Sequence, residues 1–306
     1  MPPTASSADR GSRGALRPVL VAMRPTQWLK NLAVAVAPVF ALKATDPRAG
    51  LRVVVAFAAF SLLSSATYLV NDLADRERDR AHPDKRLRPV ASGELPAGRA
   101  ALCALALLGL GLLLALSLGE TFLLTGAGYL VLQAAYTVLL RGVAILDVFA
   151  IAGGFVLRVV AGAEAVHVPV SNWLYLTTLF LALFLALEKR RAELVRLAGE
   201  ARSHRDILAE YSVELLDQLV AVASTGTIVT YSLYTLAPDT LQKFGTDRLR
   251  LTIPFVLFGV FRYLHLSRRR GAGGQPERVL LRDRGMQLTV GLFAAVVAWA
   301  IYTRRS

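Results

Sequence analysis

A single cysteine, Cys103, stands in a chain of 306 residues, so no disulfide framework can form within one copy and no cysteine-based metal site is expected. It lies in an apolar run and reads as a small core residue. Only four histidines occur, His82, His167, His204 and His265, and none falls in a triad or a metal-ligand spacing. Histidine proton transfer is therefore not expected. Carboxylates are scarce as well, 22 against 35 Lys and Arg, which leaves a net charge of +13. Strand-like alternation is missing altogether. Apolar residues make up 55% of the chain, come in long blocks, and raise the mean hydropathy to +0.49, more than a soluble domain of this size can hide. The chain therefore reads as an all-α integral membrane protein.

Stretches of about 20 apolar residues suit single crossings. They fall at 27–44, 51–71, 99–118, 121–140, 143–164, 170–188, 215–237, 249–267 and 286–303, so nine helices are expected. Residues 1–16 are rich in Ser, Pro, Gly and Arg, lack the apolar core of a cleavable signal, and read as a disordered cytoplasmic tail before a single domain over 17–306. Cationic residues then set the orientation. With nine crossings, 25 of the 35 Lys and Arg fall on the side of the N-terminus and 8 on the other, with Arg158 and Arg262 assigned to neither. The N-terminus and every long polar loop are thus expected in the cytoplasm and the C-terminus outside. Because the basic residues sit in short loops between apolar blocks, membrane lipids are the expected partner and nucleic acid is not.

The stretch from Asn71 to Gly93, NDLADRERDRAHPDKRLRPVASG, does not fit that simple scheme. It sets four Asp, one Glu, one His and six basic residues between two long apolar segments. Aspartates do little for orientation and are costly near hydrocarbon. Spacings of three and four put Asp72, Asp75 and Asp79 on one face of a continuing helix, with Asn71 one turn from Asp75. Three like charges on one face need a cation among them. Mg²⁺ suits, being a hard ion that takes one or two carboxylates and shares its other positions with water and phosphate oxygens. Lys85, Arg86 and Arg88 follow at once, and Arg can clamp phosphate through two parallel hydrogen bonds. Pro83 and Pro89 break the helix and stiffen the loop. Asp72, Asp75 and Asp79 are thus the expected metal ligands and catalytic carboxylates of a diphosphate site, with His82 a further phosphate contact.

These residues carry a resemblance. NDLADRERD fits the NDxxDxxxD motif of the UbiA-type membrane prenyltransferases, and KRLRPVASGEL is similar to the basic RPxxSG segment of that superfamily, whose members have nine membrane helices and a cytoplasmic active site. RPTQWLKN at Arg24 to Asn31, DRAHPDKRLRP at Asp79 to Pro89, EKRRAEL at Glu188 to Leu194, IPF at Ile253 to Phe255 and PERVLLRDRGMQL at Pro276 to Leu288 look like the decaprenyl-phosphate phosphoribosyltransferase branch. The resemblance implies Mg²⁺-dependent transfer from 5-phosphoribosyl 1-diphosphate to a polyprenyl phosphate in a bacterial plasma membrane, supplying cell-wall arabinan. The rival is an aromatic-acceptor prenyltransferase that uses a prenyl diphosphate. Ordinary members carry a second Asp-rich motif after the sixth span, whereas EKRRAELVRL stands there in this chain. That departure favours phosphate contacts from Lys189 and Arg190 beside Glu193 over a second carboxylate-bound metal.

The same resemblance makes Lys30 and Asn31 donor-binding candidates, against simple snorkelling. It also makes Tyr136 and Arg141 a diphosphate pair, against ordinary interface anchoring. Asp147 and Arg158 lie three turns apart in one span, about 16 Å by helix rise. A charge such as Arg158 inside a bilayer faces a cavity or a partner, for which Glu164 is one option. Residues 191–218 suit a half-buried cytoplasmic helix, and the basic Gly-rich loop 268–276 suits anionic headgroups. Self-association as a homo-oligomer stays open.

Overall fold

Within a bilayer every backbone N–H and C=O must find a partner inside the protein, and helices solve that problem locally. The computed structural model describes residues 16–43, 45–197, 210–270, 272–274 and 276–303, and among these there is no strand. A helix over residues 16–23 (α1) leads into a 3-10 helix, Pro25–Ala35, and the short α2, Val36–Phe40. There follow α3 (Pro47–Ala74), α4 (Arg76–Ala81), α5 (Pro89–Ser92), α6 (Ala97–Leu118), α7 (Glu120–Val138) and α8 (Leu146–Ala165). The chain continues through α9 (Asn172–Leu197), α10 (Val213–Leu236), α11 (Pro238–Phe244), α12 (Ile253–Arg270), α13 (Pro276–Arg282) and α14 (Arg284–Tyr302).

Among the described residues seven helices are long and apolar enough to cross a membrane: α3, α6, α7, α8, α10, the stretch Arg248–Arg269 and α14. Two of the nine expected crossings take another form. Segment 27–44 begins as tight 3-10 turns entered through Pro25 and only then becomes α2, because Lys30 pairs with Glu277 of α13 and Asn31 bonds to Ser61 and Ser64 of α3. Segment 170–188 lies in α9, whose last third is charged. The expected tail over 1–16 lies almost wholly outside the described residues, as do 198–209 in the middle of the half-buried helix expected over 191–218.

Helix ends follow local chemistry. Asp46 caps α3 by accepting the Arg48 N–H at 2.9 Å, with Pro47 as the first helical residue. Asp283 caps α14 through the Met286 N–H at 2.9 Å, and both its oxygens are gripped by Arg262 at 3.1 and 2.9 Å. At the far ends of α6 and α8, Arg52 donates to the Leu118 carbonyl at 2.6 Å and also to that of Ala165. One guanidinium thus satisfies terminal carbonyls of two helices.

Lipid tails are as apolar as Leu, so helices in a bilayer associate through close packing of small residues and through polar contacts. Ala56 and Ala59 of α3, Ala115 of α6, and Ala161 and Ala165 of α8 are all fully buried around Phe60, Leu63, Phe122 and Tyr129. Phe60 meets Phe122 edge to face at 5.8 Å. A second cluster joins Val148, Phe184, Leu216 and Tyr263 across α8, α9, α10 and α12. The closest approach is at Gly162 of α8, where a Cβ would collide with the Val34 carbonyl of the 3-10 helix. Gly162→Ala is expected to destabilise the protein by at least about 1–3 kcal/mol through overpacking. Gly128→Ala, with open space around it, is expected to be neutral or slightly stabilising. Melting of both variants in detergent checks this, and a wild-type melting temperature for Gly162→Ala would contradict it.

Candidate active site

The α3 helix carries Asp72 to the end of its apolar run, and helical bonding continues past it. The Asp75 N–H donates to the Asn71 carbonyl at 2.9 Å and the Asp79 N–H to the Asp75 carbonyl at 2.8 Å. Asp75 itself departs from helical geometry, at φ −92° and ψ 8°, and separates α3 from α4. The expected single face therefore holds for two carboxylates. Asp72 and Asp79 are both buried, and one nitrogen of Arg88, Nη1, lies 3.1 Å from Asp72 Oδ1 and 2.7 Å from Asp79 Oδ2. Asp75 is held apart by Arg141, at 3.1 Å.

Arg88 is placed by the RPVASG segment. Pro89 opens α5, Gly93 at φ 85° closes it after one turn, and Arg80 Nε donates to the Ala91 carbonyl at 3.1 Å. Lys85 Nζ stands 3.8 Å from Asp79 Oδ1. From the other side Arg24 Nη2 reaches Asp72 Oδ1 at 2.5 Å, and its guanidinium lies 5.0 Å over the Tyr68 ring. Arg24 sits in the left-handed region, φ 55° and ψ 60°, just before Pro25. Such backbone costs about 1–3 kcal/mol and concentrates at functional sites. The sequence reading passed over Arg24, although it opens the RPTQWLKN segment. Four cations, Arg24, Lys85, Arg88 and Arg141, thus surround three carboxylates.

Other expected residues go elsewhere. The Asn71 amide oxygen accepts the Thr137 hydroxyl at 3.0 Å, which ties α3 to α7. His82 Nδ1 accepts the N–H groups of Asp84 and Lys85 at 3.2 and 3.4 Å, so it braces the loop that carries Lys85. Arg86 is exposed and Lys189 is half-buried on α9. Lys30 pairs with Glu277 of α13 at 3.2 Å, whereas its neighbour Asn31 is fully buried and donates to Ser61 and Ser64. Burial works to raise the Glu277 carboxyl, but Lys30 and hydrogen bonds outweigh it and hold Glu277 below the ordinary carboxylate value.

Tyr136, Arg190 and Glu193 belong to a second polar network built on Asp147. Arg190, almost wholly buried, donates to Asp147 Oδ2 at 2.5 Å, Glu193 Oε2 at 2.6 Å and the Tyr136 hydroxyl at 3.1 Å. Tyr211 donates to Asp147 Oδ1 at 2.7 Å and accepts the Ile145 N–H at 2.6 Å. Burial pushes the Tyr211 phenol up to about 12; the Ile145 N–H works against this, and Asp147 adds to it. Ile145 has φ 71°, an outlier for a β-branched residue. Of the expected diphosphate pair, Tyr136 bonds to Arg190 and Arg141 to Asp75. Nothing in the sequence spacing links Asp147 to Arg190 or Tyr211.

Among the described residues no group of three His, Cys, Asp or Glu side chains is gathered closely enough to hold a metal ion. The expected trio does not converge, because Arg141 draws Asp75 aside. Asp72 and Asp79 do fit a hard divalent ion. They are buried carboxyl oxygen donors that already share one cationic group between them.

The family model described as UbiA prenyltransferase family matches residues 32–274. The chain belongs to the UbiA prenyltransferase family. Decaprenyl-phosphate phosphoribosyltransferase of Mycolicibacterium smegmatis is 34% identical over 297 residues, covering 93% of this chain and 92% of that protein. The protein of the same description from Mycobacterium tuberculosis is 33% identical over 287 residues, covering 92% and 94%. The structure of a UbiA homolog from Archaeoglobus fulgidus bound to GPP and Mg²⁺ superposes with a TM-score of 0.69 at 21% identity, over 93% of this chain and 99% of that one. The all-helical architecture is therefore the UbiA fold.

In this UbiA chain the Asp147 network carries a clear expectation. Breaking a buried pair leaves an uncompensated charge, so Arg190→Gln or Asp147→Asn should each cost about 3–5 kcal/mol. The double variant should be less unstable than the sum by about 1 kcal/mol or more. A thermal double-mutant cycle in detergent reads this, and strict additivity would contradict the pairing.

Proposed function

We propose that this protein transfers the 5-phosphoribosyl group of 5-phosphoribosyl 1-diphosphate to a polyprenyl phosphate and releases diphosphate. The carrying observation is the gathering of Arg24, Lys85, Arg88 and Arg141 around the three carboxylates Asp72, Asp75 and Asp79 at the end of a membrane helix. Such a site suits a substrate with several phosphates beside a bilayer. The described function of relatives matched over nearly their whole length supports the same reading.

The ribose C1–O bond to diphosphate breaks as a C1–O bond to the lipid phosphate forms. The acceptor oxygen is already anionic near neutral pH, so no general base is needed. Asp72 and Asp79 would hold Mg²⁺, with Asp75 the further donor expected from the motif, and Mg²⁺ when bound neutralises charge on the leaving diphosphate. Arg88, Lys85, Arg24 and Arg141 orient the phosphates and stabilise the charge that develops on them. Lys30, Arg86, Lys189 and His82 are the remaining phosphate contacts of this reading. Asn71 fixes α3 against α7, and Tyr136, Arg190 and Glu193 shape the neighbouring wall.

An aromatic-acceptor prenyltransferase would call for the second acidic motif. In its place Glu188 accepts a hydrogen bond from Ser267 and pairs with Arg268, and Glu193 is engaged by Arg190. Lys189, Arg190 and Arg191 surround these two glutamates, and a segment that basic favours a single carboxylate-bound metal site. We read the seven membrane helices, the 25–40 segment and α9 as nine crossings of a bacterial plasma membrane. The N-terminus and the site then face the cytoplasm, the C-terminus lies outside, and the product feeds cell-wall arabinan.

The test is incubation of purified protein with Mg²⁺, 5-phosphoribosyl 1-diphosphate and a polyprenyl phosphate. Phosphoribosylated lipid is expected. No such product, together with prenyl transfer to an aromatic acid, would overturn the assignment. Asp72→Asn and Asp79→Asn are each expected to lower turnover by at least about a hundredfold, with Asp75→Asn less severe. A fully active Asp72→Asn or Asp79→Asn would remove the carboxylate pair from the reaction.

A further inference from the structure

Arg158 lies in the membrane-spanning part of α8 and is 4% exposed. Its three assigned hydrogen bonds all go to neutral acceptors: Nε to Asn31 Oδ1 at 2.7 Å, Nη1 to the Gly154 carbonyl at 2.7 Å and Nη2 to the Tyr129 hydroxyl at 3.1 Å. The rings of Tyr129, Phe155 and Phe60 lie 4.7, 5.6 and 6.0 Å from the guanidinium. Among the described residues no carboxylate comes within ion-pair distance of it, Glu164 included. Five N–H groups minus three bonds leaves two donors for an oxyanion. A buried cation held only by neutral groups is costly and marks a functional site by default.

A polar strip joins this cation to the candidate active site. Ser61, Ser64, Ser65, Tyr68 and Asp72 follow one another along α3 at spacings of three, one, three and four, and so share one side of it. Asn31 bonds to Ser61 and Ser64, Trp28 Nε1 donates to Ser65 at 3.0 Å, and Arg24 covers Tyr68 and reaches Asp72. Lys30, next to Asn31, is a second basic residue of the same 3-10 helix and pairs with Glu277 at 3.2 Å. From Ser61 to Asp72 is eleven residues, about 16 Å of helix rise. A serine-lined strip with a cation at each end is poor lipid packing and good anion binding.

We propose that Arg158, supported by Asn31 and Lys30, is the intramembrane subsite that recognises the anionic phosphate monoester of the acceptor lipid. This rests on the proposed reaction. With the donor diphosphate at Asp72 and Asp79, attack opposite the leaving group requires the acceptor oxygen on the far, membrane side of the ribose. The polar strip and Arg158 lie on that side. The missing counter-charge of Arg158 is then supplied by substrate, and an uncharged polyprenol is discriminated against.

Full-length Arg158→Gln tests this, with KM measured separately for polyprenyl phosphate and for the sugar donor and with melting as the fold control. The expected result is a KM for polyprenyl phosphate raised tenfold or more, a donor KM within twofold, and lost preference for polyprenyl phosphate over polyprenol as a competing ligand. An unchanged acceptor KM, or an equal rise in both, overturns the subsite. Should Arg158→Gln not fold, Arg158→Lys is the second variant. It is expected to keep the preference for the charged lipid while its acceptor KM rises at least threefold, because Lys cannot present a bidentate fork; a wild-type acceptor KM overturns the subsite. Equilibrium binding of polyprenyl phosphate separates the two claims. Wild-type binding lost in Arg158→Gln without any product would refute the reaction and leave the subsite standing.

Discussion

The structure depends on one guanidinium shared by two buried carboxylates. Arg88 bridges Asp72 and Asp79, so two buried carboxyl groups at the end of an apolar helix share one cationic partner. This constraint explains the local chain. A proline and a glycine at φ 85° confine α5 to one turn so that Arg88 points back at α3, and Arg24 accepts a left-handed backbone to reach Asp72 from the opposite side. Four cations face three carboxylates there, an excess of positive charge that suits an anionic substrate.

Arginine plays a different part at each depth. At one end of the bundle Arg52 closes the carbonyl ends of α6 and α8, in the interior Arg158 ties α8 to the 3-10 helix through Asn31, and toward the other end Arg190 joins α7, α8 and α9 through Tyr136, Asp147 and Glu193. Between these pins the helices meet through alanine and glycine. A guanidinium suits each place because it stays charged and offers five donors in a plane. Lysine carries its three donors on one nitrogen and could not spread them over acceptors on separate helices.

Much of this was legible in the sequence because hydropathy and composition act locally. The apolar block at 51–71 becomes α3, Pro47–Ala74, and Asp72 and Asp79 lie together as a spacing of seven requires. The departures are tertiary. Segment 27–44 was expected as one helix, but the contacts of Asn31 and Lys30 with distant elements favour 3-10 turns. Asp75 leaves its expected face for Arg141, 66 residues away, and Arg190 meets Asp147 across 43 residues. No spacing rule spans such separations. Glu164 is the carboxylate the sequence offers Arg158, but its hydrogen-bond partners are Asn31, Gly154 and Tyr129.

The most direct measurement of the central claim, that Asp72 and Asp79 hold a divalent ion against the donor diphosphate, uses Mn²⁺ as the probe. Electron paramagnetic resonance on the purified protein with 5-phosphoribosyl 1-diphosphate reads bound and free Mn²⁺ separately. Binding that is clear in the wild type, weakened in Asp75→Asn and lost in Asp72→Asn and Asp79→Asn is the expected result. Wild-type Mn²⁺ affinity in a folded variant lacking both Asp72 and Asp79 would contradict it.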